Sequence, residues 1–437
     1  MFETIVALAT PPMKSALAII RCSGDDCFNI VNKVFDKDIS KTTKRDIYYG
    51  KIVNKEKTID EVVLLAYKNP HSFTGEDSVE IICHGSMLIA KQIVDALLSN
   101  GARMATNGEF SSRAFLNHKI DLVQAEAIND VINATTEEGK ELSLLALEGQ
   151  SSKIFKPIKE SLGELLAKIE VNIDYPEYED IEEISKNEIK ATSYRIIESL
   201  KTLIEDGEKD KIYHEGVNVA IVGKPNVGKS SLLNYLIKED KAIVTDIAGT
   251  TRDVVEGEIS LNGVPVKLFD TAGYHQTNDV IESIGISKIQ KIIKEANLVL
   301  YVMDETGIDE NLYNSIKNQK HIIVHNKADL VNNKKTNELY ISIKENDVEP
   351  LLNKIKEVLN ITSVKIRPSF YNVRQLSILK RMVNQLENAI KDVDNSEPID
   401  LISVSIMSAY NAALDLLGEG NKNDLTDEIF SRFCVGK

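Results

Sequence analysis

A glycine loop decides how the second half of this chain can fold. Gly223-Lys-Pro-Asn-Val-Gly-Lys-Ser230 follows the apolar run Val217-Asn-Val-Ala-Ile-Val222 and leads into Ser231-Leu-Leu-Asn-Tyr-Leu236. The spacing fits GxxxxGK[ST] between a strand and a helix, the context that separates a phosphate loop from an ordinary turn. Its glycines let backbone N–H groups point inward, and the helix N-terminus adds partial positive charge. Lys229 is then placed to reach β and γ phosphates and Ser230 to ligate Mg²⁺, with Asn226, Val227, Gly228 and Ser231 in the same cradle. Strands and helices alternate from about 216 to about 365, as in a parallel, doubly wound α/β sheet.

Four further segments follow the loop along the chain. Asp270-Thr271-Ala272-Gly273 ends the apolar run from Val266. An acid at a strand's C-terminal end can hold Mg²⁺ through water, and Gly273 leaves room for its N–H to approach a γ-phosphate. Asn326-Lys327-Ala-Asp329 follows His321-Ile-Ile-Val324. The Asp329 carboxylate can accept two hydrogen bonds from guanine N1–H and its exocyclic amine. Adenine offers no such pair and would leave the carboxylate unsatisfied, so the motif implies GTP and not ATP. In Gly249-Thr250-Thr251-Arg-Asp253, Thr251 is the residue that completes a Mg²⁺ shell when nucleotide orders the loop. Ser342-Ile-Lys344 is the candidate base-supporting segment, with Ile343 where Ala is usual and only a backbone contact expected near Ser342. Tyr274 stands where many GTPases carry a water-orienting Gln.

The rest of the chain divides by pattern. Residues 1–117 mix strand-like runs (Ala16–Ile20, Glu61–Ala66, Val79–Cys83) with a helix over 86–98, an α+β arrangement. Residues 118–214 turn helical, with Ile158, Leu162, Leu165, Leu166, Ile169 and Ile173 on one face, and then Ile196, Ile197, Leu200, Leu203 and Ile204. The acidic stretch 174–183 reads as a connector. Helical period returns over 372–437 through Leu376, Leu379, Met382, Val383 and Leu386. The expected architecture is a multidomain chain: an α+β N-terminal domain, an α-helical domain, and an α/β P-loop domain (215–371) inserted in the helical one, whose two parts pack together.

Composition narrows the partners. Lys plus Arg is 52 and Asp plus Glu 67, so 52 − 67 = −15. Such a chain is no general polyanion binder, and any nucleic acid must meet a local basic patch. The segment 364–381 offers one, with Lys365, Arg367, Arg374, Lys380 and Arg381 around Phe370 and Tyr371; basic plus aromatic suits RNA, and a solvated helix face suits it equally. No stretch approaches ~20 consecutive apolar residues, and Pro11 and Pro12 interrupt the N-terminus, so neither a membrane span nor a signal peptide is expected. Cys22, Cys27, Cys83 and Cys434 form no CxxC pair, which fits a reducing, cytoplasmic compartment.

Several separated segments carry a resemblance to the tRNA modification GTPases of the MnmE (TrmE) family over essentially the whole length. They are Thr4–Pro12, Ser72-Phe-Thr-Gly-Glu-Asp77, Gly108–Phe110, Arg113–Asn117, Asp121–Ala127, Ile243–Asp253 and the terminal Phe433-Cys-Val-Gly-Lys437. The resemblance implies nucleotide contacts along Thr245, Asp246, Ile247, Ala248, Gly249, Thr250 and Thr251. It implies a K⁺ ion held by Asn226, Thr245, Ile247 and Thr250 in place of an arginine finger, with hydrolysis stimulated as two G domains pair. Glu282 is implied as the water-positioning carboxylate; from residues alone it would be a solvated helix acid. The N-terminal domain is implied to dimerise and to bind 5-formyl- or 5,10-methylene-tetrahydrofolate through Arg21, Glu80, Lys119 and Lys437. Cys434 is either a functional thiol near the one-carbon unit or a buried tail residue. Met13-Lys-Ser15 and Ser86 stand where the family usually has glycine, which bears on the folate pocket. The implied output is C5 modification of the wobble uridine in tRNA, by a homodimer joined to an FAD-dependent MnmG (GidA)-like protein in a heterotetramer. A regulatory GTPase acting in ribosome assembly is the competing reading.

Overall fold

The computed structural model describes residues 3–174, 185–239, 257–270, 290–331, 334–362, 366–420, 429–431 and 433–436. They form two compact units.

The first unit takes residues 1–129, 146–194 and 381–437. Its sheet has the order β3-β4-β5-β2-β1-β6, built from β1 Ile5–Leu8, β2 Leu17–Ser23, β3 Arg45–Asn54, β4 Lys57–Tyr67, β5 Ser78–His84 and β6 Arg103–Met104. All pairs are antiparallel except β1 with β6. Helices α1 Cys27–Asn32 and α2 Met87–Ser99 cover one face, closing a core of Val6, Ile20, Ile30, Leu64, Ile81, Ile93 and their neighbours. Strand β3 is not among the runs expected from sequence, although Ile47, Tyr48, Tyr49, Ile52 and Val53 are strand-forming types. It hairpins onto β4 through Lys55 and Glu56, both at positive φ (48° and 65°). Such two-residue turns normally announce themselves with Asn-Gly, and Lys-Glu does not.

Helix α3 Glu109–Leu116 and α4 Leu122–Asn133 follow. The N-terminus of α4 is closed by a reciprocal pair: Asp121 Oδ1 accepts from the Gln124 N–H at 2.8 Å, and Gln124 Oε1 accepts from the Asp121 N–H at 3.0 Å, an Asx variant of the capping box. After α5 Glu137–Leu147 comes α6 Gln150–Asp174, which buries Ile158, Leu162, Leu165, Leu166 and Ile169 while Ile173 stays half-exposed. Helix α7 Lys186–Glu215 follows.

The second unit takes residues 130–145 and 195–380. Its sheet, β12-β11-β10-β7-β9-β8, comprises β7 Val217–Val222, β8 Gly257–Leu261, β9 Val264–Asp270, β10 Leu298–Met303, β11 His321–His325 and β12 Leu339–Tyr340. Every pairing is parallel except β8 with β9. Strands buried on both faces need near-continuous apolar runs, and Leu298–Met303 is buried throughout. Helices α8 Lys229–Glu239, α9 Glu310–Ile316 and α10 Glu349–Val358 accompany this sheet. Helix α9 starts at Asp309, whose Oδ1 accepts from the Asn311 and Leu312 N–H groups.

Two helices complete the chain, α11 Val373–Asp394 and α12 Ile399–Leu417. Leu376, Leu379, Met382, Val383 and Leu386 are all buried, as their spacing predicts. Helix α12 is long and apolar enough by length and composition to cross a membrane. Its Ile402, Ile406, Ala409, Ala413 and Leu416 are buried, and it packs on α6 within the first unit.

The basic segment near 370 corrects an expectation. Phe370 and Tyr371 are fully buried, so neither can stack on a base. Arg367 pairs with Asp206 and Lys380 with Glu208 in the second unit, and Arg381 pairs with Asp415 at 2.7 Å in the first. Lys365 lies outside the described residues. The aromatics fill the core because the segment lies along α7: a side chain at Gly207 would strike the Phe370 carbonyl oxygen.

Candidate functional site

The phosphate loop leaves β7 at Gly223 and enters α8 at Lys229. Two of its glycines are required by space. Gly223 has φ 151°, and a Cβ there would meet Val302 O at 2.1 Å; Gly228 has φ 96°, and a Cβ would meet Asn326 Nδ2 at 2.3 Å. Lys229 is buried and its Nζ donates to the carbonyls of Gly223 (3.0 Å) and Lys224 (2.8 Å), arching back over the loop. Burial lowers its pKa, opposed by the nearby Asp270 carboxylate. Ser230 Oγ donates to Asp270 Oδ2 at 2.7 Å. Asp270 reaches it because β9 lies directly beside β7. A hydroxyl and a carboxylate side by side at a helix N-terminus are hard oxygen ligands of the kind Mg²⁺ takes, so these residues fit that ion.

The base-side motif grips the same loop. Asn326, buried, donates from Nδ2 to Val227 O at 2.9 Å. Lys327, at φ 60°, donates from Nζ to Asn226 O at 3.1 Å and to Asp304 Oδ2 at 2.7 Å. The Asp304 carboxyl is held down to about 2 by Lys327 first, with the Thr306 hydroxyl and N–H assisting against burial. Asp304 was not foreseen, since one acid after an apolar strand is a weak signal. Asp329 lies in a 3₁₀ turn over Ala328–Leu330, and its Oδ1 accepts from Ser342 Oγ at 2.9 Å. Ser342 thus acts through its side chain, orienting the carboxylate, where only a backbone role was expected. Lys344 Nζ stands 3.9 Å from Asp329 Oδ2.

The structure therefore brings Asn226, Val227, Gly228, Lys229, Ser230, Asp270, Asn326, Lys327 and Asp329 to one edge of the sheet, at the C-terminal ends of β7, β9, β10 and β11, with Ser231 exposed in the first turn of α8. That edge is where open parallel sheets bind ligands. Thr245, Asp246, Ile247, Ala248, Gly249, Thr250, Thr251, Thr271, Ala272, Gly273, Tyr274 and Glu282 lie outside the described residues.

The first unit holds a separate cavity of about 380 Å³, lined by residues that include Arg21, Tyr67, Phe73, Thr74, Glu80 and Lys119. Arg21 and Glu80 face each other across neighbouring strands β2 and β5. Arg21 Nε and Nη2 donate to Glu80 Oε1 at 2.9 and 2.7 Å, and its Nη1 donates to Gly436 O at 2.9 Å. Lys119 Nζ donates to Pro70 O at 2.9 Å. Three of the four residues expected at a folate site thus share one cavity, and the fourth, Lys437, lies outside the described residues. Cations, a carboxylate and two aromatic rings suit an anionic ligand with a hydrogen-bonding heterocycle. Arg45 and His71 also line it; both lie in segments without a motif. Met13–Ser15 and Ser86 do not line it, so their bulk does not narrow this cavity.

The thiols separate by burial. Cys22, Cys27 and Cys83 are buried and Cys434 is exposed, which removes the buried-tail reading of Cys434. Burial, then Cys22, pushes the Cys27 thiol well above its ordinary value, and burial pushes Cys83 to about 11, leaving both inert as nucleophiles.

Comparison with known proteins gives a consistent result. A family model described as the MnmE helical domain matches residues 122–434, and one described as the GTP-binding protein TrmE N-terminus matches residues 4–119. The tRNA modification GTPase MnmE of Acetivibrio thermocellus is 41% identical, covering all of this chain and 99% of that protein. Its namesakes from Ligilactobacillus salivarius and Mesoplasma florum are 39% and 38% identical, again over the whole chain and 98% and 99% of theirs. Among solved structures, a variant of Aquifex aeolicus Era bound to GDP and AlF₄⁻ is 28% identical, covers 39% of this chain and 66% of its own, and has a TM-score of 0.27. With matching models over both halves and relatives near 40% identity end to end, the chain belongs to the MnmE (TrmE) family of tRNA modification GTPases.

Proposed function

We propose that this protein binds and hydrolyses GTP as part of the system that modifies C5 of the wobble uridine (U34) in certain tRNAs. The observation that carries the nucleotide reading is the Asp329 carboxylate, held at the sheet edge by Ser342 and adjoining a motif that grips the phosphate loop. A carboxylate so placed accepts from guanine N1–H and its amine and rejects adenine. Lys229 neutralises the β and γ phosphates, and Ser230 and Thr251 would ligate Mg²⁺ with Asp270 holding it through water; the ion would supply charge stabilisation to the departing phosphate. Glu282 orients the attacking water in place of the Gln absent at Tyr274. Asn226, Thr245, Ile247 and Thr250 would hold a K⁺ ion, which would offset the negative charge developing on the phosphates.

The tRNA part of the reading is supported by the relatives, which are named as tRNA modification GTPases. The folate part is supported by the cavity around Arg21, Glu80 and Lys119. Arg21, Glu80, Lys119 and Lys437 would hold 5-formyl- or 5,10-methylene-tetrahydrofolate, whose pterin edge suits an acid and whose anionic tail suits cations. In this reading the protein works in the cytoplasm as a homodimer with an FAD-dependent MnmG-like partner, and together they add an aminomethyl or carboxymethylaminomethyl group.

The test is the GTP hydrolysis rate of the purified protein in K⁺ and in Na⁺, for wild type and Glu282→Ala. A rate that rises strongly in K⁺ and collapses in the variant supports the cation site and the carboxylate together. Equal rates in both salts, with the variant still active, would sink this hydrolytic mechanism.

A further inference from the structure

Beside the cavity lined by Arg21, Glu80 and Lys119 is a buried ion pair. Arg113, on α3, and Glu76, in the loop before β5, are 2% and 4% exposed. Arg113 Nη1 donates to both Glu76 oxygens at 3.1 and 3.2 Å. Ser23 Oγ donates to Glu76 Oε2 at 2.8 Å and shares a 2.7 Å hydrogen bond with Thr74 Oγ1. Thr74 Oγ1 also accepts from the Glu76 N–H at 3.2 Å, Ser72 Oγ donates to Glu76 O at 2.5 Å, and Asn117 Nδ2 donates to Thr74 O at 2.8 Å. The loop so tied, Ser72 to Thr74, is one wall of the cavity.

A buried ion pair is a weak device for stability, because well-packed apolar residues of similar volume often do as well. What it adds is geometry. Arg113 is held on its other side by Glu109 Oε1 (2.8 Å from Nη2), and Glu109 is fixed in turn by Arg103 and the Thr106 N–H. Helix α3 therefore presents a clamped guanidinium to Glu76. Glu76 passes that position through two hydroxyls to the wall residues.

We propose that Arg113 and Glu76 are positioning residues for the folate cavity: they set the Ser72–Thr74 wall without touching the ligand. The proposal rests on the folate reading above. A planar guanidinium and a single ammonium differ in this role, since only the former meets Glu76 and Glu109 at once.

The experiment is calorimetric titration of the full-length protein with 5-formyl-tetrahydrofolate, alongside its thermal midpoint. Arg113→Lys and Glu76→Gln should each weaken binding about ten-fold, the former retaining its charge. Ser23→Ala removes only the hydroxyl link and should weaken it by about three-fold, which keeps the test available should the charge variants fail to fold. Phe155→Leu, a core change in α6 within the same unit, is the control for stability lost elsewhere; it should lower the midpoint and leave affinity unchanged. Wild-type affinity in the folded variants overturns the proposal, as does an equal loss in Phe155→Leu. No binding by wild type would instead sink the folate reading itself, and this inference with it.

Discussion

Ser230 and Asp270 lie 40 residues apart in the chain, yet the hydroxyl of the first donates a 2.7 Å hydrogen bond to the carboxylate of the second. The contact follows from topology. Ser230 opens α8 after β7, Asp270 closes β9, and the two strands are parallel neighbours. Two oxygens of the kind Mg²⁺ takes thereby stand beside the N–H groups of a helix start. Ser230→Ala and Asp270→Asn should each reduce Mg²⁺-dependent GTP hydrolysis at least ~100-fold in single-turnover assays, because each removes a metal-directed oxygen from the phosphate site.

Lys327 links the base motif to the phosphate loop through Asn226 O and is itself anchored by Asp304. Lys327→Ala should raise the Kd for a fluorescent GTP analogue by about ten-fold, equivalent to ~1.4 kcal/mol. Asp304→Asn should have a smaller effect of the same sign, since the lysine keeps one of its two partners. The measurement is an equilibrium fluorescence titration.

Acid should loosen the first unit through Glu109. Burial alone would raise its pKa, but Arg103, the Thr106 N–H and Arg113 outweigh burial and hold the carboxyl down to about 2, against an ordinary 4.5. A carboxyl with a depressed folded value contributes stability that is fully present above the unfolded value and is lost as pH falls through the folded one. The window is therefore pH 4.5 down to about 2. With allowance for screening on its open side, the contribution is about 2 kcal/mol. The stability difference between wild type and Glu109→Gln, from urea unfolding, should shrink as pH falls across that window.

Tyr371 is a core residue of the otherwise basic segment. Its hydroxyl donates to Asp130 Oδ2 at 3.0 Å, and His214 Nε2 stands 3.3 Å from Oδ1 of the same buried carboxylate. Burial, followed by Lys267, keeps His214 below its ordinary pKa, and a neutral imidazole can still donate from Nε2. Tyr371→Phe keeps the ring and removes one partner of Asp130. It should cost about 1–2 kcal/mol in urea unfolding without altering RNA affinity.

The residues that were legible in sequence are those whose chemistry depends on local spacing. The phosphate loop, Asp270 and Asn326 to Asp329 each sit at the end of an apolar strand, so motif and fold declare one another. The inward faces of α6 and α11 were legible for the same reason, since period 3.6 is visible without any partner. What could not be read depends on long-range pairing. The hairpin of β3 onto β4 is closed by a Lys-Glu turn with no turn chemistry, so the pairing is not legible even though β3 itself is rich in strand-forming residues. Asp304 matters only because β10 lies beside β11. Glu76 and Arg113 are 37 residues apart, and each alone looks like a surface charge. Phe370 and Tyr371 misled for a related reason: an aromatic among cations has the same spelling whether it faces a base or a core.

Guanine recognition at this edge of the sheet rests on Asp329. Nucleotide affinity should be measured for wild type and Asp329→Asn with GTP and with XTP, whose base carries a carbonyl where guanine has its amine. The Asn side chain turns an N–H donor toward that position, so GTP affinity should fall at least ~100-fold while XTP becomes the preferred ligand. Unchanged GTP affinity in Asp329→Asn would contradict the assignment of this edge of the sheet as a guanine site.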